Sequence, residues 1–310
     1  MNLNTLNGIA CFVHYGLALF CVIYFSNLNK NHPNSSIKGI ELSIRDHKLA
    51  VTDISSQCVS SPNTYCNPDG TGYTVLLNSV GVSTPSIQTI QSMLISFFII
   101  TGTFHLYYYI GNNTNESNGT SSFSSHYSFM IGHGNNYFRW IEYGITSTLM
   151  LYIIALMSNV KETNVYLLLY ATNLVMIAMG QLVEVAVRDG KDWITPMICG
   201  FVLLFAEFSI IFRSFWGRLS EVNAYSDTST RPNKPRLPNW AHAMIILLFL
   251  FYSSFGILSL VGSWSGMNYE SIEKIYILLS LCSKTTLGLF IIYANSTLQQ
   301  NGWAGTSSDV

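Results

Sequence analysis

The chain has 310 residues, of which 49% are hydrophobic and 10% charged, and its formal net charge is -1. Soluble domains carry about 25% charged residues, so the composition excludes an ordinary soluble globule and identifies a membrane protein. No basic stripe is present to neutralise phosphates, which excludes a nucleic-acid partner.

A transmembrane helix needs about 20 mostly apolar residues to cross a hydrocarbon core about 30 Å thick. Seven windows meet that requirement: residues 6–26, 87–110, 135–158, 164–187, 194–219, 237–262 and 270–298. The expected fold is an all-α membrane protein, a seven-transmembrane helix bundle forming a single domain over residues 1–310, with a β-hairpin-like first loop. Neither an enzymatic centre nor a metal site is expected.

The first window is read as a mature helix, because no basic residue precedes it and no small-residue cleavage pattern clearly follows it. The connection after it, residues 27–86, contains the runs IKGIELSIRD and KLAVTDIS, then a Ser/Pro/Asn/Gly-rich part. Alternating or β-branched runs bounded by turn residues predict a β-hairpin on the membrane surface. Cys58 and Cys66 lie in this loop, whereas Cys11, Cys21, Cys199 and Cys282 fall inside spans. A disulfide between Cys58 and Cys66 would put the loop on the oxidising, external face. Two free thiols remain the other reading, since spacing alone does not prove pairing. The other long connection, residues 111–134, is rich in Asn and Ser and is expected to be a mobile loop; the remaining loops are short, as in a bundle of antiparallel neighbours.

Ionisable residues inside a span cost roughly 2.5–3.5 kcal/mol at the helix centre and so mark a bundle interior or a function. Lys284, in IYILLSLCSKTTLGLFIIYA, is the deepest basic one. About ten apolar or small residues on either side, at about 1.5 Å rise each, put its amine beyond snorkelling reach of both interfaces. A lysine amine shielded from water can form a Schiff base with an aldehyde, and the resulting cation needs an anion nearby. Glu142, in FRWIEYGITS of the third span, is the candidate, the alternative being an ion pair with Arg139 three residues earlier.

Helical rise places Glu142 roughly 8 Å and Lys284 roughly 14 Å from the N-terminal side of the bundle, a gap a lysine side chain covers. The same rise puts His14 of the first span roughly 12 Å deep and His105 of the second roughly 8 Å deep, so both share a layer with Glu142 and suggest a hydrated polar cavity. Ser280, one turn before Lys284, and Thr285 and Thr286 after it offer hydroxyls to the amine, unless they bond back to their own helix. Glu207, in LLFAEFSII of the fifth span, has no cationic neighbour in sequence. Such a carboxyl suits a proton relay or a hydrogen bond between helices. Glu184 lies four residues before Arg188, where an ion pair at the membrane boundary is expected.

With seven spans the termini lie on opposite faces. The N-terminal side carries Arg139, Arg188, Lys191 and Lys274, and the other side carries ten basic residues, four of them in the first loop. The full count favours an external N-terminus; without the long first loop, a poor indicator under the positive-inside rule, four stand against six.

A lysine in the seventh span and a carboxylate in the third resemble the retinal-binding microbial rhodopsins, and the heliorhodopsins more closely. The resemblance rests on FRWIEYGITS, NLVMIAMGQLVE, SLCSKTTLG, the two histidines and the long first loop. It implies all-trans retinal attached at Lys284, Glu142 as counterion, Ser280 beside the Schiff base, His14 and His105 in the cavity, and Asn173 and Met176 against the retinal. It further implies a cytoplasmic N-terminus, an external first loop and a homodimer. Around Glu142, Tyr143, Gly144 and Thr146 supply no second acid, unlike outward proton pumps. Two functions stay open on this basis: light-activated proton conductance, with Glu207 as the additional carboxyl, and light sensing by conformational change without transport. A non-retinal receptor or transporter, with Lys284 as substrate counter-ion, is the third alternative.

Overall fold

The computed structural model describes residues 2–31, 44–53, 73–83, 87–113, 124–158, 160, 162–228 and 239–300. Among them, seven helices are long and apolar enough to cross a membrane. They are α1 (Leu3–Asn31), α2 (Ile87–Asn113), α4 (Tyr137–Met157), α5 (Thr163–Arg188), α6 (Ile194–Thr228), α7 (Asn239–Ser265) and α8 (Tyr269–Gln300). Sequential neighbours pack on one another, and α1 against α8 closes the ring. The outer face carries exposed apolar side chains such as Phe12 and Trp264, each 80% exposed. In a bilayer these meet acyl chains and need no protein cover.

The first connection differs from its expectation. It holds a two-stranded antiparallel sheet, β1 (Ile44–Asp53) and β2 (Tyr73–Ser83), with a bulge between Arg45 and Asp46. A tight hairpin between IKGIELSIRD and KLAVTDIS is not supported: the end of the first run and most of the second form one continuous strand. The physical reason lies in Arg45-Asp46-His47-Lys48, which offers no Asn-Gly or similar pair for a two-residue turn. The partner strand comes after the Pro- and Gly-rich segment instead. Cys58 and Cys66, and hence their pairing, lie outside the described residues; Cys11, Cys21, Cys199 and Cys282 are free.

The Asn/Ser-rich connection is corrected too. Its second half forms a short helix, α3 (Ser124–Gly132), docked by Tyr127 and Met130 onto Leu3, Leu6 and Ala10 of α1 and Tyr108 of α2. Low-complexity composition hides this because Tyr127, Met130 and Ile131 alone supply the i, i+3, i+4 apolar stripe. Gly134, at φ 64, ends α3, with Gly134 N–H donating to Ile131 O and Asn135 N–H to Met130 O. This paired closure takes a left-handed residue that glycine supplies without strain. It delivers Asn136 to the start of α4, where its side chain accepts from Arg139 N at 3.2 Å and caps the helix.

Candidate functional site

Lys284 lies on the inner stripe of α8 with Glu273, Tyr276, Ser280 and Leu287, all buried and spaced by three, four or seven residues. Its Nζ donates to Glu142 Oε1 at 2.6 Å and to Thr101 Oγ1 of α2 at 2.8 Å. Phe97 and Tyr143 flank the amine, their ring centroids each 5.5 Å away. Arg139 does not pair with Glu142, which excludes that alternative. The hydroxyl that meets the amine is Thr101, four residues before His105 on α2, and not Ser280 or Thr285. Ser280 Oγ and Thr285 Oγ1 are buried and have no partner among the described residues.

His14 and His105 stack with ring centroids 5.5 Å apart, and both feel the charge of Lys284. His14 Nδ1 donates to Ala10 O at 2.7 Å, because a carbonyl oxygen only accepts. His105 Nδ1 lies 2.9 Å from Asn7 Oδ1, and Asn7 Nδ2 donates to Tyr127 OH at 3.2 Å. Each ring therefore leaves a buried Nε2 without a partner among the described residues. Asn7 and Tyr127 were not read as site residues from the sequence; the polar Asn7 seven residues before His14 is the one signal that could have found them.

On the other side of Lys284 a partly open cavity lies between α4, α5, α6, α7 and α8. Lys284 and Ser283 stand in its wall, and the rest is largely apolar and aromatic, including Trp140, Tyr143, Met176 and Phe255. Mostly apolar walls with a few well-placed polar groups are the general pattern for small-molecule sites. Met176 lines the space, whereas Asn173 stands behind it, its Nδ2 donating to Ser147 Oγ and Thr148 Oγ1 at 2.9 Å each. Tyr252 lines it as well, its OH donating to Ser147 O at 2.8 Å.

Glu207 of α6 is 1% exposed. Thr172 of α5 faces it, but the Thr172 hydroxyl donates to its own helix at Leu168 O (2.8 Å) and Leu169 O (3.1 Å). Neither Glu207 oxygen then has a hydrogen-bond partner among the described residues.

A second charged site sits at the N-terminal end of the bundle. Arg139 donates to Glu184 Oε2 at 2.7 Å through NH2 and to Glu273 Oε2 through NH1. Glu273 Oε1 accepts from Asn136 Nδ2 at 2.7 Å. Glu184 also accepts from Asn136 N at 3.1 Å, from Tyr269 OH and from Trp140 Nε1. The expected Glu184–Arg188 pair is absent because Arg188 turns outward to Asp189 at 2.8 Å. Glu273 carried a readable signal: it precedes Lys284 by eleven residues, about three helical turns, and so shares its stripe.

The heliorhodopsin family model matches residues 85–296. No curated protein matches the chain. Among solved structures, the crystal structure of the transmembrane domain of Salpingoeca rosetta rhodopsin phosphodiesterase is similar in fold. It has 11% identity and a TM-score of 0.51, over 95% of this chain and 84% of that one. A family match over more than half the chain, on a bundle of seven membrane-spanning helices, means that this multi-pass membrane protein belongs to the heliorhodopsin family, which implies a retinal chromophore and a response to light.

Proposed function

We propose that the protein conducts protons across the membrane when illuminated, with all-trans retinal attached at Lys284 and Glu142 as its counterion. The cavity wall suits such a group: it is largely apolar and aromatic, and the amine of Lys284 in it is held by Glu142 and Thr101. Retinal bound at that amine supplies a light-driven isomerisation next to a positive charge.

The chain's own residues supply the rest. Glu142 balances the charge at Nζ, and Thr101 holds the nitrogen in line with it. His14 and His105 offer bare Nε2 atoms on the α1/α2 side, and Ser280, one turn before Lys284, has a buried hydroxyl without a partner among the described residues. Asn173 fixes the Ser147 and Thr148 hydroxyls behind the cavity wall, and Met176 packs on the ligand. Glu207 is the observation that carries conductance over mere light absorption. It is a buried carboxyl outside the counterion pair, without a cation, and once protonated it can donate to Thr172.

In this reading the N-terminus is cytoplasmic, the first loop with Cys58 and Cys66 is external, and two copies form a homodimer.

Whole-cell recording under illumination tests the proposal. Photocurrents that reverse with the proton gradient are expected for the wild type, and a current lowered at least tenfold for Glu207→Gln with its visible band intact. No current at any voltage sinks conductance. The second reading, a light sensor acting by conformational change, draws on the Arg139 cluster, which ties three spans together at one face. A photocycle longer than a second without current would favour it.

A further inference from the structure

The cavity and the Arg139 cluster share one side chain. Trp140 of α4 stands in the cavity wall, and its Nε1 donates to Glu184 Oε2. Both contacts fall on one turn of α5, since Gly180 and Glu184 are four residues apart and face the same way. Gly180 leaves the indole no slack: a Cβ there would lie 2.4 Å from Trp140 Cζ3 and 2.5 Å from Cη2. The benzo edge of the ring is thus seated on the α5 backbone while the opposite edge holds a carboxylate. The rigid bicyclic ring cannot bend between those two contacts, so a push on one edge is felt at the other.

What it holds is tightly shared. Glu184 Oε2 has two donors, Trp140 Nε1 and Arg139 NH2, and Arg139 also bridges to Glu273 on α8. Arg139 Cζ lies 5.2 Å from the Trp140 ring centroid and 4.1 Å from that of Tyr276. A displaced indole therefore loses the carboxylate and disturbs the guanidinium in the same movement.

We propose that Trp140 is the positioning residue through which the occupant of the cavity acts on the Arg139–Glu184–Glu273 cluster. A ring lifted from Gly180 withdraws its N–H from Glu184 and loosens the junction of α4, α5 and α8 at the N-terminal face. The inference rests on the reading that the cavity holds retinal, and it is independent of whether protons are conducted.

Two measurements on the full-length protein test it. Without retinal, thermal melting of Trp140→Phe, Glu184→Gln and the double variant reads the indole–carboxylate bond alone. The double variant is expected to melt well above the sum of the two single losses; strict additivity overturns the contact. With retinal, hydrogen exchange at residues 133–139 and 269–274 is compared in the dark and under continuous light, at equal visible absorbance. The wild type is expected to exchange faster in light, Trp140→Phe to lose at least half of that increase, and Gly180→Ala, which forces the ring aside, to show fast exchange already in the dark. An equal light response in wild type and Trp140→Phe, or none in the wild type, overturns the coupling. A wild type that forms no visible band with retinal instead defeats the retinal reading on which the coupling stands, and the melting cycle still decides whether Trp140 holds Glu184.

Discussion

The bundle contains two buried ionic sites built on opposite plans. At the Arg139 site every carboxylate oxygen of Glu184 and Glu273 accepts at least one hydrogen bond. Arg139 Nε is the exception there, buried without a partner among the described residues. The helices that carry the Lys284 ion pair also hold buried polar atoms without partners among the described residues: Nε2 of His14 and His105 on α1 and α2, and Ser280 Oγ and Thr285 Oγ1 on α8. A network whose acceptors are all engaged rigidifies its neighbourhood, whereas unsatisfied groups are costly and persist where something must bind or move. The first site clamps helix ends; the second lies among helices with vacant hydrogen-bonding capacity.

The contrast is open to direct attack. The largest effect is expected at Lys284→Ala, which removes the amine: purified protein mixed with all-trans retinal should show no visible absorption band. A normal band would end the assignment of Lys284. Next comes Glu273→Leu, which leaves Arg139 buried with only the partly exposed Glu184. Breaking a buried pair costs about 3–5 kcal/mol, so its melting temperature should fall sharply with little shift in the visible band. A large spectral shift would mean that the two sites are not separate.

Tyr127→Phe should be milder. It deprives Asn7 Nδ2 of its acceptor, and a stranded buried donor costs about 1–3 kcal/mol. Because Asn7 orients His105, loosened histidine packing should accompany the loss, visible in the ring resonances. The smallest effect belongs to Asp192, outside both sites, which accepts from Ile194 N at 2.9 Å and Thr195 Oγ1 at 2.6 Å at the start of α6. Those bonds, the Thr195 hydroxyl first, hold its carboxyl below the usual aspartate range. A depressed folded pKa means its stabilisation is present above the unfolded range and lost as pH falls through the folded value. Asp192→Ala should thus melt slightly below the wild type at neutral pH and level with it in strong acid.

Much of the fold was legible because a bilayer imposes a long apolar run on each span. All seven windows correspond to helices; α1 and α6 continue past the expected ends, since helices do not stop where hydrocarbon does. What failed lay outside the apolar rule. The β pairing went to a distant strand because no turn residue closes Arg45 to Lys48, and α3 was hidden in an Asn/Ser-rich segment. At the sites, Lys284, Glu142 and Glu207 stood out as charges where charge is expensive. Thr101 did not, since a threonine in a span attracts no notice until its hydroxyl meets an amine 183 residues away.

Partner choice marks the boundary between the two kinds of information. For Arg139 and Glu184 the chain offers local partners, Glu142 three residues after Arg139 and Arg188 four after Glu184, and local spacing favours both. The fold rejects them. Arg139 reaches 45 residues to Glu184 and 134 to Glu273, and Glu142 is left to Lys284, 142 residues on. By itself the sequence determined that seven helices cross a membrane and that Lys284, Glu142 and Glu207 are charges set inside them, because hydrocarbon length and the cost of a buried charge act on each segment alone; the burial of Arg139 and Glu273 it did not. Only the tertiary structure decided who pairs with whom, because helix rotation and tilt are set by packing around the whole ring.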